Sequence, residues 1–309
     1  RALMLGALAD GASHVSGFLP SGDCLATLDC VHALGVEIDR VESTEVRIHG
    51  KGLDGLQPPA GPLDCVRSGT TMRLLAGILA GQPFDSELTG APQLLRRPMR
   101  RITDPLQSMG AQIEDVDGHG PLMVRPGVLR GRAHMLPVAS AQVKSAILLA
   151  GLYASGETVV FQPGPARDHT ERMLAACLEP KSESGPVSEP LVRYDMETVR
   201  LDAARIDRMA PMNLQVPGDL SSGAFLIAAA LLLPGSEIVL RGMGLNPTRT
   251  GLIDVLRSMG AELEIRNRIM EGGEPTGDLS VRAGSLQAAD VAGETVVRMI
   301  DEFPVLAVA

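Results

Sequence analysis

The segment GLIDVLRSMGAELEI, residues 251–265, decides the fold because close copies of it recur along the chain. Leu252, Val255, Leu256 and Met259 fall at i, i+3, i+4 and i+7, one face of a helix. Gly260 follows where a helix closes in the left-handed conformation, and the residues after it alternate as in a strand. The same helix–glycine–strand pattern stands in CLATLDCVHALGVEI from Cys24 and in RRITDPLQSMGAQIE from Arg100. A further copy, ERMLAACLE from Glu171, is degenerate and lacks the glycine.

A second repeated element interleaves with the first. RALMLGALADG from Arg1, SGTTMRLLAGILAG from Ser68, SAQVKSAILLAGLYASG from Ser140 and SSGAFLIAAALLLPG from Ser221 each read as an alanine/leucine helix ending at glycine. The three serine starts lie 72 and 81 residues apart. These helices are apolar nearly all round, which predicts burial on every side. Short strands such as TVVFQP and EIVLRG lie between them. The pattern predicts an α/β fold of repeated units with helices enclosed by sheets, larger than a solenoid repeat. Three units fill residues 1–214 as a complete domain that carries the anion site. IDRMAPMNLQVPGD then reads as a crossover, and residues 215–309 begin a second, incomplete domain. The first residue is Arg1, and the last residues, VLAVA, are an apolar run. Both ends are expected to be cut from a longer protein.

Composition narrows the function. The chain has 309 residues, 45% apolar, with five Phe, two Tyr and no Trp, and a net charge of −9. No basic tail or face is evident, so broad nucleic-acid binding is excluded. Of the 28 basic residues only Lys51, Lys144 and Lys181 are lysine, and arginine forks suit carboxylates and phosphates. Cys24, Cys30, Cys65 and Cys177 form no metal-finger spacing and read as free thiols in a reducing compartment. The longest apolar run, Ala224 to Leu233, is too short to span a bilayer. A cytoplasmic protein is expected, with the proviso that a targeting segment could precede Arg1.

Candidate chemistry sits at helix starts and arginines. Ser68-Gly69-Thr70-Thr71 followed by Arg73, and Ser140-Ala141-Gln142 followed by Lys144, combine helix N-termini with cations. Plain helix capping is the alternative at each, and Ser221-Ser222-Gly223, with no base nearby, reads as a cap only. In Arg167-Asp168-His169-Thr170-Glu171, Asp168 and Glu171 have capping-box spacing, which leaves Arg167 as the ligand candidate. LLRRPMRR, residues 94–101, is either a solvated face or an anion site with one or two arginines turned inward. Asp301 and Glu302, set among apolar residues, are candidates for a general base. No G-x-x-x-x-G-K-[ST], G-x-G-x-x-G or G-x-S-x-G motif occurs, which disfavours nucleotide-triphosphate, dinucleotide and α/β-hydrolase chemistry.

ASAQVKSAILLAGL (residues 139–152), ARDHTERML (166–174), LNPTRTGLIDVLRSMGAEL (245–263) and MIDEFPVLAVA (299–309) together resemble the 5-enolpyruvylshikimate-3-phosphate synthase family, and the similarity runs from Arg1 to Ala309. The resemblance implies the enolpyruvyl-transferase fold of βαβαββ units. It also implies transfer of the enolpyruvyl group of phosphoenolpyruvate to the 5-hydroxyl of shikimate 3-phosphate, with release of phosphate. It implies no metal and no organic cofactor, small-molecule partners only, and a monomeric full-length protein. By matched position, Arg1, Ser140, Ala141, Gln142, Arg167 and Asp301 would bind shikimate 3-phosphate. Gly69, Thr70, Arg97 and Gln142 would bind phosphoenolpyruvate, and Asp301 would take the 5-hydroxyl proton. Gly69 leaves room for glyphosate in the phosphoenolpyruvate pocket, so a sensitive enzyme is expected.

The chain departs from the family at Val66-Arg67, where Gly-Asn is usual, and it lacks the flanking lysine-serine and lysine-glutamate segments. The resemblance therefore implies that residues 1–309 alone do not turn over. Two other readings stay open at this point: a UDP-N-acetylglucosamine enolpyruvyl transferase, and a non-catalytic module that binds phosphorylated acids.

Overall fold

The computed structural model describes residues 1–181 and 189–309. The chain begins with helix α1 (Ala2–Leu8), strand β1 (Ala12–Ser16), helix α2 (Gly22–Ala33) and the hairpin β2 (Glu37–Glu42) and β3 (Glu45–His49). The next stretch repeats that order with a leading strand: β4 (Leu63–Asp64), α3 (Gly69–Leu79), β5 (Ser86–Thr89), the short α4 (Pro92–Leu95), α5 (Arg100–Ser108), β6 (Gln112–Val116) and β7 (His119–Arg125). A third follows as β8 (Ala133–Met135), α6 (Ala141–Gly151), β9 (Glu157–Phe161), α7 (His169–Cys177), β10 (Leu178–Pro180), β11 (Val192–Tyr194) and β12 (Thr198–Asp202). Then come β13 (Ile206–Met209), β14 (Asn213–Gln215), α8 (Leu220–Leu232), β15 (Glu237–Gly244), α9 (Gly251–Ser258), β16 (Glu262–Glu271), β17 (Glu274–Arg282), α10 (Glu294–Arg298) and α11 (Phe303–Leu306).

Three sheets share one construction. In β4-β5-β7-β6 and β8-β9-β12-β11, the leading strand lies parallel to the strand after the buried helix, and an antiparallel pair completes the sheet. The first sheet, β14-β1-β3-β2, is completed by β14, which runs parallel to β1. The stretch from residue 206 that reads as a crossover thus supplies two strands, β14 here and β13 paired with β10.

The repeated glycines end their helices as the sequence predicts. Gly35, Gly110 and Gly260 all have positive φ, at 84°, 105° and 95°. In the last two, the N–H of the following alanine reaches back to a carbonyl five residues earlier, Ala111 to Leu106 (3.1 Å) and Ala261 to Leu256 (2.9 Å), while the glycine N–H bonds three back. That double closure is a Schellman motif. The degenerate copy differs: α7 ends at Leu178 in extended backbone and runs straight into β10.

α3 and α6 lie inside the sheets. Ten of the eleven residues of α3 and nine of the eleven of α6 are buried. A Cβ on Gly77 would collide with the Ala146 backbone, so the glycine is what lets the two helices touch. Each buried Leu or Ile here contributes about 1.5–3 kcal/mol relative to exposure. α8 departs from the expected burial. Phe225 and Leu226 are exposed on one side of it, while β15, β17 and α11 pack against the other. Two clusters of buried residues result, one from Leu3 to Leu214 and one from Leu220 to Val305.

Candidate active site

The starts of the two central helices face each other. Ser68 caps α3 by accepting from the Thr71 N–H (3.2 Å). One residue into the helix, Thr70 Oγ1 accepts from Gln142 Nε2 (2.9 Å), and Gln142 Oε1 accepts from Arg73 Nη1 (2.5 Å). Gln142 thereby bridges α6 to α3. Arg97 lies over Gly69: a Cβ built on that glycine would stand 2.8 Å from Arg97 Nη1. Ser140 does not cap α6. Its hydroxyl instead accepts from Arg101 Nη2 (2.8 Å). Two arginines of the LLRRPMRR segment, Arg97 and Arg101, thus reach the starts of α3 and α6 while remaining exposed.

These cations are not balanced. Burial and the neighbouring Arg101 and Arg97 guanidiniums lower the pKa of Arg73. Among the described residues none of the three pairs with a carboxylate. Clustered guanidiniums without acids repel one another, and the arrangement becomes favourable when an anion enters.

The loop leading into α3 carries strain. Val66 has φ 52°, a region that disfavours β-branched residues, and its neighbours are fixed because its N–H donates to Asp64 Oδ1 and its carbonyl accepts from Ala91. The sequence departure at this position is thus a side chain placed where glycine fits. Val66→Gly is expected to raise stability by about 0.5–1 kcal/mol, the relief of left-handed strain less the added unfolded-chain freedom. Urea unfolding of the two proteins measures it, and an unchanged or lower midpoint would refute it.

A second set of groups converges from α7 and the 245–302 region. Arg167 pairs with Asp301 across the junction of the two cores. Arg1 Nε donates to Thr170 Oγ1 (2.8 Å), which is 2.7 Å from Ser145 Oγ. Burial lowers the pKa of Arg1, with Glu171 opposing and Arg167 and Arg249 adding to it. Asp168 and Glu171 do not form a capping box. Asp168 makes no side-chain cap and instead accepts from Arg172 Nε (2.9 Å) and Asn246 Nδ2 (2.7 Å). Burial opposes the charge on Asp168, but these donors and the Arg172 charge outweigh it and hold the carboxyl below its ordinary pKa. Glu171 turns into the interior and meets Lys144 Nζ at 2.5 Å, both side chains 1% exposed. His169 Nδ1 lies 2.7 Å from Glu274 Oε1, so that imidazole belongs to the junction.

Glu302 and Asp301 separate in role. Glu302 is buried and accepts from Ser221, which in turn accepts from Arg249, while Asp301 faces the cavity. Ser221 therefore does have a base beside it, and Asp219 is the residue that caps α8.

A cavity of about 310 Å³ has Ser140, Ala141, Gln142 and Arg167 on one wall and Arg298 and Asp301 on the other, while Gly69, Thr70, Arg97 and Arg1 lie outside its lining. Sequence reasoning missed the bond from Arg101 to Ser140, the pairing of Lys144, and Thr248 and Arg298 in the cavity lining. The LLRRPMRR segment held the only signal for Arg101. Among the described residues, no cluster of three His, Cys, Asp or Glu side chains is placed to hold a metal ion, and no helix is long and apolar enough to cross a membrane.

Repeated βαβαββ units around buried helices, with an arginine-rich cavity between two cores, define an enolpyruvyl-transferase fold. The family model described as EPSP synthase (3-phosphoshikimate 1-carboxyvinyltransferase) matches residues 1–309, and the chain belongs to that family. It is similar to the 3-phosphoshikimate 1-carboxyvinyltransferase of Methylococcus capsulatus, 50% identical over 312 residues that cover 100% of this chain and 68% of the relative. The Bacillus subtilis protein of the same name is 47% identical, with 99% and 69% covered. The structure of EPSP synthase from Acinetobacter baumannii superposes with a TM-score of 0.89 at 44% identity, covering 99% of this chain and 67% of that one. These matches along the whole chain favour the shikimate enzyme over the UDP-N-acetylglucosamine transferase and over a binding module.

Proposed function

We propose that the unpaired arginines around the start of α3, and the Arg167–Asp301 cavity beside them, are the two substrate subsites of the transfer from phosphoenolpyruvate to shikimate 3-phosphate. The observation that carries this reading is Gln142, which lines the Arg167–Asp301 cavity and also bonds to Thr70 and Arg73. Shikimate 3-phosphate would lie against Ser140, Ala141, Gln142 and Arg167, and Arg1, held by Thr170 outside the cavity lining, would have to turn to reach it. Phosphoenolpyruvate would lie on Gly69 and Thr70 at the start of α3, beneath Arg97. Gln142 would touch both. Residues 1–214 would thus supply the phosphate-binding groups, and residues 215–309 would supply Asp301.

In this arrangement the 5-hydroxyl oxygen forms a bond to the enolpyruvyl carbon, the bond from that carbon to the phosphate oxygen breaks, and phosphate leaves. The hydroxyl proton passes to Asp301, which becomes available once the substrate phosphate takes Arg167 from it. Helix N-termini and arginines stabilise the departing phosphate, whose charge rises as the bond breaks. A dry cavity strengthens each of these interactions.

Gly69→Ala tests the assignment of subsites. The added Cβ meets Arg97 Nη1, so the guanidinium must move by a few tenths of an ångström or more. Phosphoenolpyruvate, and glyphosate as its competitor, should bind about tenfold more weakly, the loss of one charge-assisted hydrogen bond. Shikimate 3-phosphate affinity, measured by calorimetry on the same variant, should be unchanged. Equal weakening of both ligands would overturn the division into subsites.

A further inference from the structure

A larger cavity, about 680 Å³, opens beside the first, between α5 and the edge strand β8. Leu136, Pro137, Val138 and Val143 give it an apolar wall. Its volume lies in the range of small-molecule sites, which pair apolar walls with a few polar groups.

Among the described residues its arginines lack carboxylate partners, and one buried ring nitrogen lacks any partner. Arg100 lines it and makes no ion pair or hydrogen bond among the described residues. Arg101 lines both cavities and donates to Ser140, with no carboxylate partner. Asp104 is the one acid on the wall and pairs with neither arginine, so the local balance is positive. His134 is 7% exposed, and its Nε2 is buried with no hydrogen-bond partner. Burial, with Arg132 nearby, lowers the pKa of His134, so its ring offers one donor and one acceptor near neutral pH. A buried ring nitrogen without a partner is rare enough to require an explanation.

We propose that this cavity binds a small carboxylic acid with an apolar, ring-sized body, its carboxylate on Arg100 and Arg101 and its body against residues 136–138 and Val143. A carboxylate there draws Arg101 away from Ser140, so its occupancy weakens binding in the first cavity. Binding in the second cavity stands apart from the reaction assigned above, and only the antagonism rests on it.

Sodium benzoate is the probe, with benzyl alcohol as the neutral control, followed by NMR on the uniformly 15N-labelled chain. Saturable shifts are expected in the amides of residues 133–138 and of α5 at millimolar benzoate, with the His134 ring nitrogens moving alongside them. Benzyl alcohol should bind about tenfold more weakly, and Arg100→Gln, an exposed position, should shrink that difference to a few-fold, with Arg101 left to hold the carboxylate. Shifts that do not saturate, that fall only around Arg167 and Asp301, or that persist unchanged in Arg100→Gln would overturn the site. Benzoate saturation that leaves shikimate 3-phosphate affinity unaltered would overturn the antagonism. Failure of shikimate 3-phosphate to bind at all would instead strike the assigned reaction, since the benzoate titration decides the second cavity by itself.

Discussion

Replacing Glu171 by alanine is expected to lower the unfolding free energy by about 3–5 kcal/mol, because it strands a buried ammonium without a counter-charge. Lys144 and Glu171 are each 1% exposed and 2.5 Å apart, so neither can turn to water when its partner is lost. Burial pushes the Glu171 carboxyl upward while the Lys144 ammonium opposes it, as expected for a charge kept inside by its partner. Removing both charges should behave differently. Lys144→Met with Glu171→Leu replaces the pair by apolar groups of similar volume, a change that is commonly neutral or stabilising. Urea unfolding followed by circular dichroism reads both outcomes. A single-variant loss below about 1 kcal/mol, typical of exposed pairs, would mean that the two charges are not buried together. Glu171 also acts on Arg1 through its charge, so the double variant further shows whether the site needs the charge or only the fold.

That pair shows what sequence could and could not disclose. The second helix of each repeat was readable because its signals are local: the spacing of Leu252, Val255, Leu256 and Met259, and then a glycine that the closure requires. The same local logic misled at Asp168 and Glu171, whose spacing suits a capping box. Tertiary partners won instead, because Arg172, Asn246 and Lys144 give those carboxylates stronger, partly or fully buried contacts than a helix end offers. α8 misled in a second way. Its apolar composition matches that of α3 and α6, yet Phe225 and Leu226 are exposed, since burial depends on what packs against a helix and not on its residues. In LLRRPMRR the resemblance singled out Arg97, but no local signal set Arg101 apart from its neighbours. Arg97 and Arg101 are selected by the turn after α4 and the face of α5, which fix direction only once the fold is formed.

Arg167→Ala and Asp301→Asn should move shikimate 3-phosphate affinity in opposite directions. The two residues form an ion pair whose side chains are 36% and 51% exposed, and such pairs are worth about 0–1 kcal/mol. A substrate phosphate offers the guanidinium charge-assisted hydrogen bonds worth about 1.5–3 kcal/mol each to the complex. On the proposed assignment the exchange therefore favours the substrate. Arg167→Ala removes the recipient, and affinity should fall by about a hundredfold if two such bonds are lost in part. Asp301→Asn removes a competing anion from Arg167 and a repelling charge from the cavity, so affinity should rise by a few-fold. Wherever the chain is set in a protein that turns over, the same substitution should slow that turnover by about 10²–10⁴, since an amide cannot take the hydroxyl proton. Calorimetric titration of both single variants and the double closes the cycle. If both substitutions weaken binding alike, the pair is a latch between the two cores rather than a site awaiting its anion, and Asp301 has no place in the proton transfer.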